Sequence, residues 1–292
     1  MGKKLLIIPI VLLIVVAFVY LTMLSPPLVT AELVINSGTV QVKSGADWVP
    51  VKSGMQLKQG DVIKTGTSSS AEIIFFESSV LRMDENTEIE LKELVPTKDG
   101  TKVVVREETG KIWNRIVRLS GIDVYTVETP VAIAKVRGTA FSVHASDTST
   151  DVLLVQGSLD LSAYQIEDAN RVVYASADLE AGQMATIIAD QTEIEIKDIV
   201  EDGFLQENMD KDGIFLEEVR DEFVARFSTF MPLLKDQINV SDEEVEEFVL
   251  DYLKGDADIP AEAPQIVRDI LEGEADMSSV TNQITQLASG VV

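Results

Sequence analysis

The chain contains no cysteine, so disulfides, thiolate metal centres and cysteine nucleophiles are excluded. It has a single histidine, His144, which rules out metal sites built from several imidazoles. Basic residues are scarce: 24 Lys and Arg stand against 49 Asp and Glu, for a net charge of −25. A nucleic-acid partner is therefore not expected, because phosphate binding needs clustered cations. There is no Gly-x-Ser-x-Gly, no P-loop and no Gly-x-Gly-x-x-Gly, and a Ser-His-Asp triad would have to use His144. With so many acids, paired carboxylates carry no information. The expectation is a protein that is not an enzyme.

What is present is apolar: 46% of the 292 residues are hydrophobic, enough for one or two buried cores and too many for a disordered chain. The charge is uneven. From Glu195 to Val292 there are 25 acidic and 7 basic residues, a net of −18, so the C-terminal third is a distinct acidic block. Leu5 to Leu24 carries no charge, is preceded by Lys3 and Lys4, and no basic residue follows until Lys43. A helix over that run would cross a bilayer core of roughly 30 Å. The positive-inside rule then places residues 1–4 in the cytoplasm and the bulk of the chain outside. A cleaved signal peptide ending near Ala31 is the alternative, and both readings export the remainder. Ser25-Pro26-Pro27 reads as a stiff exit from the anchor, within a linker over 25–35.

From about residue 36 to 196 the pattern is that of short strands. Thr87–Leu91, Ile122–Val127, Ser158–Leu161 and Thr192–Ile196 alternate, and Ile73–Phe76, Val103–Val105 and Val152–Val155 are wholly apolar. Turn residues recur between them, as at Ser53-Gly54, Gly60-Asp61, Thr109-Gly110, Gln156-Gly157 and Ala181-Gly182. Strands at about ten-residue spacing predict an all-β region, either a sandwich or a solenoid.

Several segments, in order, resemble one family. Trp48-Val49-Pro50, Gly54-Met55-Gln56-Leu57, Gly60-Asp61 and Thr65-Gly66 are similar to the opening of the FecR domain. Ser70-Ala71-Glu72-Ile73 follows. Thr129-Pro130-Val131-Ala132 and Val136-Arg137-Gly138-Thr139-Ala140-Phe141 resemble its most recognisable stretch. Val155-Gln156-Gly157-Ser158-Leu159 and Gly182-Gln183-Met184-Ala185 resemble its closing elements. One departure is Glu77-Ser78-Ser79, where the family has Asp-Gly-Ser, so that corner lacks a turn glycine. The resemblance implies a short β-helix or solenoid-type domain outside the cytoplasmic membrane. Relatives of this kind signal through a cytoplasmic sigma-binding segment, for which residues 1–4 leave no room, so anti-sigma activity is not carried over. Within the motif Gly54, Gly60, Asp61, Thr129, Pro130, Arg137, Gly138, Thr139, Phe141, Gly157 and Gly182 are read as structural: turns, corners and core. Trp48 and Trp113 are read as core, and His144 as facing solvent.

Beyond residue 197 the period becomes helical. Ile214, Phe215, Val219, Phe223, Val224, Phe227 and Met231 predict an amphipathic helix ended by Pro232, and Ser241-Asp242-Glu243-Glu244 predicts another. Just before the first helix, Asn208, Asp210 and Asp212 followed by Gly213 have the spacing of the front of a Ca²⁺ loop. Position 12 is Val219 rather than glutamate, but Glu217 at position 10 suits the shorter loop of the excalibur motif, which the segment resembles without its cysteine. Asn208, Asp210, Asp212 and Glu217 are thus the candidate Ca²⁺ ligands, Ca²⁺ being the one cofactor the sequence suggests.

The chain is therefore expected to be mainly β: residues 1–4 cytoplasmic, 5–24 a single transmembrane anchor, 25–35 a linker, 36–196 a FecR-like β domain and 197–292 an acidic helical region. The expected function is an extracytoplasmic sensing or docking module that binds another envelope protein. A glycan- or cell-wall-binding scaffold is the alternative.

Overall fold

The computed structural model describes residues 31–97, 100–117, 122–136, 138–200, 202–227 and Leu250, without the side chains of 222–227. The expected anchor at 5–24, Arg137, and the helices predicted after Pro232 lie outside these residues. Among the described residues no helix is long and apolar enough to cross a membrane.

Seventeen strands and one helix, α1 (Gly203–Phe227), make up the described chain. The strands are β1 (Ala31–Ser37), β2 (Val40–Ser44), β3 (Asp47–Pro50), β4 (Met55–Leu57), β5 (Val62–Thr65), β6 (Ser70–Phe75), β7 (Ser79–Met83), β8 (Glu88–Pro96) and β9 (Thr101–Arg115). They continue with β10 (Ile122–Glu128), β11 (Ala132–Val136), β12 (Ala140–Ala145), β13 (Ser149–Gln156), β14 (Ser158–Glu167), β15 (Asn170–Glu180), β16 (Gln183–Ile188) and β17 (Glu195–Asp198).

The pairings resolve into two layers. One runs β4-β1-β6-β7-β9-β12-β13-β16-β17. The other runs β3-β2-β5-β8-β9-β10-β11-β14-β15. We call them sheets A and B. The long strand β9 belongs to both: Thr101–Thr109 pairs with β8 in sheet B, and Gly110–Arg115 pairs with β12 in sheet A. The change of layer falls at Gly110, where φ is +115° and an added Cβ would sit 2.4 Å from the Thr87 backbone. Only glycine fits that bend. Thr87 holds it from the other side, its hydroxyl accepting from the Lys111 amide at 3.0 Å.

The mainly β expectation is what the structure shows. The path alternates between layers, yet every described pair is antiparallel except β9–β10. The described residues therefore show two facing sheets, and not the uniformly parallel rungs of a β-helix. Alternation explains which faces meet. In β6, Ala71, Ile73 and Phe75 are buried while Ser70, Glu72 and Ile74 are half-buried, and β13 does the same with Thr150, Val152 and Leu154. The inward residues of both sheets form one core. At its centre Tyr125 meets Phe75 and Phe141 edge to face, with ring centroids 6.1 and 6.4 Å apart. The Tyr125 hydroxyl donates to Asn114 at 2.7 Å. A buried phenol needs such an acceptor.

The corner without its glycine is built from strained residues. Ser78 N–H bonds to Phe75 C=O, and the two residues between, Phe76 and Glu77, have φ of +52° and +59°. This is a turn with both central residues left-handed, made without glycine, while Phe76 packs against the core. Core burial offsets backbone strain there.

Candidate interaction surface

Helix α1 lies on the outer face of sheet A. Its buried stripe is Leu205, Asn208, Asp212, Leu216 and Val219, a three- and four-residue spacing. The apolar ends of the stripe pack on the sheet: Leu205 joins Trp113 and Ala140, and Leu216 and Val219 join Val117. The middle is polar. Asp212, 2% exposed, is held by three donors. Arg82 Nη1 on β7 donates to Oδ1 at 2.5 Å, and Arg115 Nε on β9 donates to Oδ2 at 2.7 Å. The Trp113 indole N–H reaches both oxygens at 3.1–3.2 Å.

Strand geometry explains the convergence. Arg82 is the direct cross-strand partner of Trp113, and Val80 that of Arg115. Trp113 and Arg115 are two residues apart on β9, so both point outward from the sheet. Arg82 is also 3.4 Å from Glu72, through an Nε that makes no aligned hydrogen bond. Arg115 Nη1 donates to Gln156 at 2.6 Å. Buried guanidinium groups require such partners, since an unpaired charge away from water is costly.

The start of α1 is tied down separately. Asp202 accepts the Leu205 amide at 2.7 Å, as an N-cap, and Lys111 Nζ at 3.0 Å. Partial burial pushes this carboxyl up, but those two contacts outweigh it and hold its pKa below the ordinary range. Lys111 also lies 4.2 Å from the Phe204 ring centre. Beside this end of the helix a cleft of about 200 Å³ opens between α1 and the β6–β7 side of sheet A, lined by Ser37, Ser69, Glu72, Asp84, Phe204 and Lys211 among others.

The structure corrects the reading of the Asn208–Glu217 segment as a loop. Helix α1 begins at Gly203, ahead of the predicted start, and runs through Gly213 without a break. Asn208 Nδ2 donates to the Phe204 carbonyl at 2.9 Å. Asp210 accepts from Gln206 at 2.9 Å, and Asp212 is committed to the two arginines. Oxygens spaced for a loop are spread around a helix, so these residues do not converge. Among the described residues no group of three or more His, Asp or Glu could hold a metal ion.

The family-motif residues lie elsewhere, in turns and core. Gly54, Gly60, Gly138, Gly157 and Gly182 all have positive φ, from +69° to +89°. Asp61 caps its turn by accepting the Lys58 amide at 2.9 Å. Thr129 accepts the Ala132 amide at 2.9 Å across the Pro130 bend and shares a 2.7 Å hydroxyl contact with Thr150. Thr139 is fully buried and Phe141 is core. His144 is exposed. The two tryptophans part company. Trp113 is buried but faces α1, whereas Trp48 is half-buried on edge strand β3 with the Lys64 ammonium 4.1 Å from its ring centre.

Sequence reasoning did not find Arg82, Trp113 and Arg115 as a unit. The available signal was their outward parity on β7 and β9, charged or polar-tipped residues beside apolar inward ones. Glu107 was missed as well. It is fully buried on the inward face of β9, and neither carboxyl oxygen has a hydrogen-bond partner. The Ala145 backbone amide lies near enough to favour the ionised form slightly, but burial dominates and pushes this pKa well above the usual carboxylate range. Burial, together with the Glu107 carboxyl, likewise raises the Tyr125 phenol.

Residues 61–160 match the family model described as FecR protein. A search of curated proteins found no match. Among solved structures the chain is similar to a "putative anti-sigma factor" from Parabacteroides distasonis ATCC 8503, in crystal structures at 1.65 and 2.50 Å resolution. Each shares 18% identity at a TM-score of 0.37, covering 47% of this chain and 59% of that one.

Proposed function

Because the chain carries a FecR domain at residues 61–160, we propose that it is a signalling module that works by binding another protein, displayed outside the cytoplasmic membrane on an anchor at residues 5–24. The family match is the observation that carries this reading, and it supports a signalling or regulatory role. The site geometry is in keeping with recognition rather than catalysis. The polar groups of the α1 seam bind one another through short, charge-assisted contacts. In this reading the outer face of sheet A, with α1 upon it, is the surface presented to a partner.

The test is site-specific photocrosslinking of the full chain in intact membranes, with a reactive group at Lys211 on α1 and, as control, at Lys135 on β11. Reproducible crosslinks to one protein from position 211 but not 135 are expected. Crosslinks only to the chain itself or to wall polymer would overturn the reading.

A further inference from the structure

The α1 seam has the chemistry of an exchangeable contact. Its buried apolar residues among those described are Leu205, Leu216 and Val219 on α1 against Trp113, Ala140 and Val117, in two clusters on either side of the polar centre. Its specificity lies in one carboxylate seated between two guanidinium groups and an indole N–H. Because desolvation offsets their attraction, such buried pairs add little net stability over apolar packing of the same size. If α1 leaves, Glu72 still faces Arg82, but Arg115 keeps only the neutral Gln156 among the contacts described above. The vacated face therefore calls for a carboxylate on an apolar helical stripe, and charge complementarity selects the occupant.

We infer that the outer face of sheet A is a receptor for an acidic amphipathic helix of a partner protein, and that α1 is the resident competitor that keeps it closed. The partner helix would place an aspartate or glutamate where Asp212 sits, flanked by apolar residues four positions to its C-terminal side and seven to its N-terminal side, as Leu216 and Leu205 are here. This inference rests on the reading that the module acts by binding protein, and adds how its surface is gated. Observed affinity for any such helix is then reduced by the fraction of chains whose α1 is displaced.

The probe is a fluorescently labelled peptide of residues 203–227, which carries the matching stripe, added to the full-length chain and followed by anisotropy. Wild-type chain is expected to bind it poorly because α1 already fills the face. Asp212→Asn in the chain loosens the resident helix, and should tighten peptide binding about tenfold or more. A peptide that itself carries Asp212→Asn should lose that gain. Asp202→Ala, which removes the N-cap and the Lys111 contact but leaves Arg82, Trp113 and Arg115 in place, should give a smaller gain in the same direction, and carries the test should the first variant fail to fold. The inference is overturned if neither loosened chain binds the native peptide while its strand circular dichroism is intact, or if both peptides bind equally. No partner protein is needed, so this failure is separable from a failure of the membrane crosslinking.

Discussion

Replacing the buried core acid by its neutral isostere, Glu107→Gln, tests the electrostatics of the sandwich directly. Glu107 is fully buried, both its oxygens lack partners, and its folded-state pKa is well above the ordinary value. The folded chain therefore holds this proton more tightly than the unfolded chain does. Stability from this group is complete below the ordinary glutamate pKa of about 4.3 and is lost as pH rises towards the raised folded value. Across that window the wild type should lose stability relative to Glu107→Gln by up to about 1.4 kcal/mol per pH unit. Near pH 4 the two chains should be nearly equal, because a protonated glutamic acid and a glutamine have similar shape and neither is charged. Urea unfolding of both proteins at pH 4, 5, 6 and 7 measures this, and the other 48 acids cancel in the difference, since 49 minus the one replaced are common to both chains. A difference that does not change with pH, or that shrinks as pH rises, would refute the reasoning and mean the carboxyl is solvated or paired.

Gly110→Ala should destabilise by about 2 kcal/mol or more in the same assay, because the new Cβ meets the Thr87 backbone at 2.4 Å. Ala169→Gly should stabilise by about 1 kcal/mol: Ala169 is left-handed at φ +64° in the two-residue turn between Glu167 and Asn170. Asp202→Ala should weaken the docked helix by about 1 kcal/mol through loss of the N-cap, read as faster amide exchange in α1. Millimolar Ca²⁺ should leave the far-ultraviolet circular dichroism unchanged, since Asp212 is already held by Arg82 and Arg115; a helix-to-loop change on adding Ca²⁺ would reverse that expectation.

Much of this could be read along the chain because it depends on local periodicity. A strand shows its buried face every second residue, so Leu159 and Leu161 were legible as core without any partner strand, whereas the wholly apolar run Ile73–Phe76 did not show that Ile73 and Phe75 are its inward pair. Turn glycines at 54, 60, 157 and 182 were legible because left-handed backbone is a local demand that few other residues meet. The strained Phe76-Glu77 turn was visible only as a missing glycine, because the burial of Phe76 that offsets its strain comes from residues distant in sequence.

The polar residues 208–212 were placed in a loop rather than on a helix where their partners were remote. Asp212 looks like a cation ligand beside Asp210 and Gly213, and nothing nearby in the sequence indicates arginines 97 and 130 positions away. A carboxylate oxygen can coordinate a metal ion or accept a hydrogen bond from a guanidinium, and spacing along the chain does not say which one arrives. Alternation and turn chemistry by themselves determined that this protein is mainly β and where its strands break. Which outward faces are covered, by which helix and through which charges, was decided only by the tertiary structure, because burial and charge pairing depend on distance in space.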